Sequence, residues 1–223
     1  MSSYLPAMLA DLPILYSFRR CPYAMRARLA LQASGQRCEL REIVLRDKAP
    51  EFLAASPKGT VPVVVTPDGR IIEESLDVML WALEQHDPEG WLSPPDGDRD
   101  AMMALIARCD TAFKPNLDAY KYASRDTPEK ALEARGAGGA FLAELNARLA
   151  QNPYLCGERL SLADMATLPF VRQFANVDRN WFDREPWPDL IRWLNELLSS
   201  SRFAAIMKKY AKWQAGDAPI VFD

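Results

Sequence analysis

Cys21 is the residue whose surroundings most favour chemistry. The run Leu15-Tyr16-Ser17-Phe18-Arg19-Arg20-Cys21-Pro22-Tyr23-Ala24 reads as a strand, a short loop and a cysteine where a helix begins. The exposed N–H groups and macrodipole of a helix N-terminus favour negative charge, and Arg19, Arg20 and Arg26 add positive potential, so a thiolate is stabilised there. Pro22 costs the helix nothing at its first position, where the N–H has no intrahelical partner. An arbitrary free cysteine is more often a small buried hydrophobe, but strand, loop, Cys-Pro and helix in succession favour the reactive reading. Position 24 is Ala, so no resolving thiol lies one turn away and a mixed disulfide on Cys21 must be released by an external thiol.

A soluble external thiol needs its own groove, and two segments suit an extended, anionic peptide. In Thr60-Val61-Pro62-Val63, a cis Val61–Pro62 bond would turn the Val61 N–H and C=O outward to pair with a ligand backbone. An ordinary trans proline at the first residue of a strand is the reading that sequence alone favours. In Glu73-Glu74-Ser75, just before a helix, the Ser75 hydroxyl and N–H can hold a carboxylate while Glu74 meets an ammonium group. A plain Ser75 N-cap explains the same residues.

Composition narrows the remaining chemistry. The chain has 223 residues with 27 Lys+Arg against 30 Asp+Glu, a formal net charge of −3, without the clustered positive face of a nucleic-acid binder. His86 is the only histidine, which excludes a His-rich zinc site and suits a helix-end role better than catalysis. Cys21, Cys38, Cys109 and Cys156 form no CxxC pair, and the last three lie in apolar surroundings that suggest core packing. Pro6, Asp11 and Pro13 interrupt the first residues, and no apolar run reaches the roughly 18 residues of a membrane span. A soluble, cytoplasmic protein with free thiols and no membrane partner is expected.

The elements that must position Cys21 alternate. Ile14–Ser17 reads as a strand, Pro22–Ser34 as a helix stopped by Gly35, Cys38–Leu45 as a second strand and Pro50–Ala55 as a helical turn or two. Val61–Thr66 and Arg70–Glu73 read as strands joined across Pro67-Asp68-Gly69, and Ser75 opens a helix ending near His86. This β-α-β, then β-β-α order resembles a thioredoxin-like α/β domain, placed at residues 12–88. Trp91–Asp100, with Pro94-Pro95-Asp96-Gly97, reads as a linker. An all-α domain is expected at 98–223, with helices at Asp98–Ser124, Pro128–Gln151, Ser161–Val177, Pro188–Ser199 and Ser201–Trp213, broken or kinked at Pro115 and Pro169. Ser161-Leu162-Ala163-Asp164 reads as a structural capping box.

With those residues in place, the chain resembles the cytosolic glutathione transferases, most nearly the Omega class and its bacterial relatives. Tyr16-Ser17 at a strand end, Cys21-Pro22-Tyr23-Ala24, Val61-Pro62, Glu74-Ser75 and Ser161-Leu162-Ala163-Asp164 stand in the family's order. The resemblance is convincing over residues 14–86, fair over 155–175 and weak between. It implies a thioredoxin-like domain followed by a helical bundle, glutathione as co-substrate with no metal or nucleotide, and a homodimer. It implies further that Cys21 forms the mixed disulfide with glutathione and that Val61 pairs with the tripeptide backbone beside a cis Pro62. Glu74 and Ser75 would hold the γ-glutamyl end, and Lys48 the glycine carboxylate. Tyr23 replaces the family's usual phenylalanine, and Ser56-Pro57-Lys58-Gly59 replaces Asn-Pro-aromatic-Gly, so Lys58 competes with Lys48 for that carboxylate. Phe113, Tyr120, Tyr122 and Trp181 are candidates for the lining of a second-substrate pocket, although aromatic residues at helical spacing are more often packing.

The implied reaction is glutathione-dependent thiol transfer or a reduction of the dehydroascorbate type, through thiol–disulfide exchange at Cys21 on a small electrophilic or disulfide substrate. Two alternatives stay open. In one, Tyr16 or Ser17 activates the thiol of glutathione itself for conjugation. In the other, the chain is a non-enzymatic relative, either of the stringent-starvation type, which usually lacks the cysteine, or of the chloride-channel type, whose acidic loop has no counterpart near 124–134.

Overall fold

The computed structural model describes residues 11–123 and 127–223. They fall into two compact units: residues up to Pro88 together with Ser201–Asp223, and Glu89–Ser200. Among the described residues, no helix is long and apolar enough to cross a membrane. The expected helix end at Ser124 and part of the 124–134 stretch lie outside the described residues.

In the first unit, β1 (Ile14–Ser17), α1 (Pro22–Ser34) and β2 (Cys38–Glu42) form a parallel crossover, followed by α2 (Pro50–Ala55), β3 (Val63–Val65), β4 (Ile71–Ile72) and α3 (Ser75–Gln85). The sheet order is β4-β3-β1-β2-β5, with β5 at Val221–Phe222 and every pairing except β1–β2 antiparallel. Leu15 sits opposite Leu40 and Val64, all three fully or almost fully buried, as expected for a central strand covered on both faces. Gly35 ends α1 in the left-handed region (φ 69°), where the Gln36 N–H reaches the Leu31 carbonyl at 3.0 Å. α1 and α3 pack together, and their ends are tied by His86 Nδ1, 2.9 Å from the Ser34 carbonyl oxygen.

The strands are shorter than the sequence suggests. β2 stops at Glu42 because the chain turns at Val44–Asp47, closed by the Asp47 N–H on the Val44 carbonyl at 2.8 Å. β3 begins only at Val63, since Pro62 has no N–H to give a ladder.

Two boundaries differ from expectation. The helix expected to run to Trp213 ends at Ile206, and the chain beyond it returns along the edge of β2. There the Trp213 N–H donates to the Glu42 carbonyl (2.9 Å), the Leu40 N–H donates to Ile220 (2.7 Å), and Val221–Phe222 pair with Cys38–Glu39. Residues 201–223 therefore belong with the sheet and not with the helical domain expected at 98–223; covering an otherwise open strand edge is the physical reason. The expected linker, in turn, begins on a side chain with no exposure: the Trp91 carbonyl accepts the Leu162 N–H at 3.0 Å, and its indole N–H donates to Glu89 at 3.1 Å.

The second unit consists of α4 (Arg99–Arg108), a π-helical turn (Cys109–Phe113), α5 (Lys114–Ala123), α6 (Pro128–Leu149), α7 (Leu162–Ala175), α8 (Arg179–Phe182) and α9 (Pro188–Ser199). The wide turn precedes Pro115, whose ring displaces the normal bonding of the turn before it; the Lys114 N–H reaches back to Cys109. α7 runs unbroken through Pro169 and starts on the expected capping box. A Cβ at Gly138 would stand 2.6 Å from Phe174 Cε2, so that glycine in α6 allows close approach to α7.

Candidate active site

The loop after β1 delivers Cys21 to the N-cap of α1 in an extended conformation (φ −78°, ψ 123°), without a side-chain cap bond and with Pro22 following. Its N–H donates to the Phe18 carbonyl at 2.9 Å, closing the turn, and its carbonyl accepts the Met25 N–H at 3.0 Å. The thiol points at the Val61 carbonyl, Sγ to O 3.7 Å, and packs against a cluster that includes Tyr16, Phe52 and Trp213. Cys21 is half-buried, whereas the other three cysteines are buried. Burial pushes the Cys38 thiol up to about 12 and the Cys156 thiol up to about 11, which leaves both as neutral core groups at ordinary pH.

Both alternative hydroxyls are committed inside the unit. Tyr16 is buried, with its hydroxyl accepting from Arg41 Nη1 at 2.9 Å and its ring against Phe52 and Trp213. Ser17 has no exposure, and its Oγ accepts from Arg28 Nε at 2.8 Å. The arginines expected to surround the thiol are distributed otherwise. Arg19 sends its guanidinium to the Met207 carbonyl (3.3 Å), and Arg20 lies over the Phe18 ring. Arg26 is buried with Nη1 3.5 Å from Ser75 Oγ.

Beside Val61 opens a cleft of about 270 Å³, whose lining includes Tyr23, Lys58, Val61, Pro62, Glu74 and Ser75. The Val61–Pro62 peptide bond is cis, the arrangement the family resemblance implies and not the trans form that sequence alone favours. Ser75 is not the cap of α3: Glu74 holds that position through its backbone, without a side-chain cap bond, so the Ser75 hydroxyl is not spent on the helix. The exposed Lys58 ammonium pairs with the Glu74 carboxylate, and that hydrogen bond raises the Lys58 pKa. Ser56 Oγ donates to Glu73 Oε1 at 2.5 Å and fastens the same loop to the start of α3. Lys48 is half-buried, its Nζ 3.0 Å from where a Cβ on Gly59 would stand, and it is not among the cleft-lining residues.

Val61, Pro62, Glu74 and Ser75 are thus brought together, with Cys21 facing the Val61 carbonyl and Lys48 set behind Gly59. Sequence reasoning missed Tyr23 and Thr60 as lining residues, although each adjoins a residue it singled out. It also missed the ion pair of Arg28 with Glu42, in which a fully buried arginine on α1 meets a carboxylate at the end of β2.

In the second unit, Phe113, Tyr120 and Trp181 do come together, but as packing. Phe113 is 1% exposed and stacks on Phe141 (5.0 Å between centroids), while Tyr120 is 4% exposed and meets Phe174 at 5.0 Å. The expected pocket lining is corrected accordingly for these two, which offer almost no surface to a ligand. Trp181 is half-buried, with the Arg135 guanidinium 4.3 Å over its ring, and Tyr122 is exposed. A larger open cavity of about 560 Å³, lined in part by Asp96, Glu144, Arg148 and Cys156, holds no group with the chemistry of Cys21. Among the described residues, no group of three or more His, Cys, Asp or Glu is arranged to hold a metal ion.

The chain matches the family model of the glutathione S-transferase N-terminal domain over residues 15–90 and that of the C-terminal domain over residues 104–196. It is 28% identical over 204 residues to maleylacetoacetate isomerase of Mus musculus, covering 88% of this chain and 92% of that one. It is likewise 28% identical to glutathione S-transferase omega-1 of Mus musculus over 168 residues, 74% of this chain and 68% of that one. Its fold is similar to that of a glutathione transferase family member from Pseudomonas fluorescens solved with two glutathione bound, with a TM-score of 0.77 at 19% identity over 91% of this chain and 95% of that one.

Proposed function

The chain belongs to the glutathione S-transferase family, and from that premise we propose that it is an Omega-like, cysteine-type member acting as a glutathione-dependent thiol transferase through Cys21. The observation that carries this reading is the position of the thiol: half-buried at a helix start, 3.7 Å from the carbonyl of the residue preceding the cis proline, beside a cleft lined by Val61, Glu74 and Ser75.

The Cys21 thiolate attacks the glutathione-bearing sulfur of a mixed disulfide. A Cys21–glutathione disulfide forms, and the substrate's own sulfur leaves as a thiolate, which takes a proton from water. A second glutathione thiolate then attacks the glutathione sulfur of that disulfide, releasing oxidised glutathione and restoring Cys21. The Val61 backbone pairs with the cysteinyl residue of the tripeptide. Ser75, with the Arg26 guanidinium behind it, takes the γ-glutamyl carboxylate, and Glu74 takes the ammonium. That ammonium replaces Lys58 on Glu74, and Lys48 takes the other carboxylate. Assembly as a homodimer belongs to the same reading, and light scattering checks it against the 25.1 kDa mass of one chain.

Likeness over nearly the whole chain to a relative named as an isomerase keeps a second reading beside the thiol-transferase one, in which glutathione itself is the nucleophile and Tyr16 or Ser17 assists it. The committed hydroxyls of both residues weigh against it. Kinetics of the wild type and Cys21→Ser separate the two. The cysteine reading expects glutathione-dependent reduction of a small mixed disulfide to vanish in the variant. Transfer that survives Cys21→Ser, with conjugation to an aryl halide unchanged or faster, would favour the second.

A further inference from the structure

Glu42 closes β2 with 8% of its surface exposed and is bonded to the loop before Cys21, to α1 and to the chain beyond Ile206. One carboxylate oxygen accepts the Arg19 backbone N–H at 2.8 Å, inside the short loop between Ser17 and Cys21. The other meets Nη2 of Arg28 on α1, the helix that Cys21 begins. Arg28 has no exposure; its Nε donates to Ser17 Oγ at 2.8 Å and its Nη1 to the Ile206 carbonyl at 3.0 Å. The main chain of Glu42 is engaged as well, its carbonyl accepting from Trp213, a member of the cluster against which Cys21 packs. The last strand residue before Cys21, the loop at Arg19 and the second turn of the helix that Cys21 begins are thereby referred to the same carboxylate through a backbone amide and one arginine.

We propose that Glu42, held by Arg28, is a positioning residue for Cys21: it fixes the turn that aims the thiol at the Val61 carbonyl and at a bound glutathione. The proposal rests on the reading of Cys21 as the nucleophile. A buried ion pair is weak support for stability by itself, because desolvation offsets most of its attraction, and a fixed local geometry is what such a pair can provide in addition. Here the geometry is specific. With Cys21 N–H on Phe18 and Arg19 N–H on Glu42, two donors of the loop are held, and Ser17, where the loop departs, is held through its hydroxyl by Arg28 and through its carbonyl by the Ile43 N–H at 2.7 Å. Burial lowers the Arg28 pKa and the Glu42 charge opposes that shift, so the guanidinium depends on this carboxylate. A neutral acceptor of equal length at position 42 can keep the Arg19 bond but cannot balance Arg28.

The test compares wild type, Glu42→Gln and Glu42→Ala on the full-length protein, below the unfolding temperature of each. Three quantities are measured: kcat and KM for glutathione-dependent reduction of a mixed disulfide, the Kd for S-methylglutathione, and the unfolding temperature. Misplacement of a reacting group costs up to about a hundredfold in rate, so Glu42→Ala is expected to lower kcat by between about ten- and a hundredfold. The Kd for S-methylglutathione, whose groove lies at Val61 and Ser75, stays within about twofold, and Glu42→Gln recovers part of the lost kcat. If Glu42→Ala does not fold, Glu42→Gln alone carries the test through a lowered kcat at unchanged Kd. Unchanged kcat in folded variants whose unfolding temperature falls would overturn the positioning role and leave Cys21 standing. A wild type that performs no glutathione transfer would overturn the reading of Cys21 and the proposal with it.

Discussion

Two helix starts in this molecule are built in opposite ways. At α7 the capping box is saturated: Asp164 Oδ2 accepts the Ser161 N–H (2.9 Å) and lies 2.8 Å from Ser161 Oγ, while Oδ1 accepts Leu155 N–H and Trp193 Nε1, both at 2.9 Å. Asp164 has no exposure, and burial pushes its carboxyl up against the opposing pull of those donors. At α1 no side chain caps the helix; a half-buried thiol stands there, and the next residue brings no N–H. α3 follows α1, with a backbone cap and a helix-start serine that does not cap it, beside an open cleft. A helix start whose donors are filled from within is structural, and one left bare by its own sequence is available to a ligand.

Breaking the filled start should cost stability, and breaking the bare ones should cost chemistry. The largest effect is expected for Asp164→Ala. Removing a buried carboxylate strands its donors, at about 3–5 kcal/mol, read as a lower midpoint in urea unfolding. Cys21→Ser in the same experiment should move stability by less than about 0.5 kcal/mol; a loss comparable to that of Asp164→Ala would make Cys21 a packing residue. Next is Ser75→Ala, which removes one hydrogen bond to a charged group and weakens glutathione binding about tenfold by calorimetry while unfolding barely moves.

Smaller is Lys58→Met, which should strengthen glutathione binding a few-fold and flatten its salt dependence, because an exposed ion pair is weak and screened. Binding weakened by that change would make Lys58 a direct contact and not a competitor.

The thiols sharpen the same contrast through pH. Cys38 and Cys156 stay protonated in the folded chain to about 12 and 11, whereas their unperturbed value is 9.0. Below pH 9, iodoacetamide should therefore modify Cys21 and spare those two, and should reach all four cysteines only after unfolding. Because the folded pKa values are raised, the stability these buried thiols confer is intact below pH 9 and is lost as pH climbs from 9 towards 12, a trend visible as a falling urea midpoint.

What was legible in the sequence was local. Gly35 as a helix stop, Ser161 with Asp164 as a cap, the Pro67-Asp68-Gly69 turn and Cys21-Pro22 at a helix start each depend on neighbouring residues and stand as read. What was not legible is held by contacts distant in the chain. The return of residues 207–222 along β2 is fixed by bonds to Glu42, Leu40 and Cys38, and an expectation from periodicity alone continues the helix past Ile206. The cis form of Val61–Pro62 has no local signature, and sequence alone favours trans. The burial of Arg28 was hidden because its partners, Ser17, Glu42 and Ile206, come from three other segments. Phe113 and Tyr120 show the other side of this: the sequence leaves pocket lining and packing both open, and contacts with Phe141 and Phe174 from other helices make them packing.

The central claim is that the bare start of α1 makes Cys21 the residue that carries glutathione. Incubation of the native protein with oxidised glutathione, followed by intact-mass measurement and peptide mapping, tests it most directly. The account predicts a single added glutathione, on the peptide containing Cys21, removed by excess reduced glutathione and absent from Cys21→Ser. An unmodified Cys21, or modification confined to other cysteines, would contradict it.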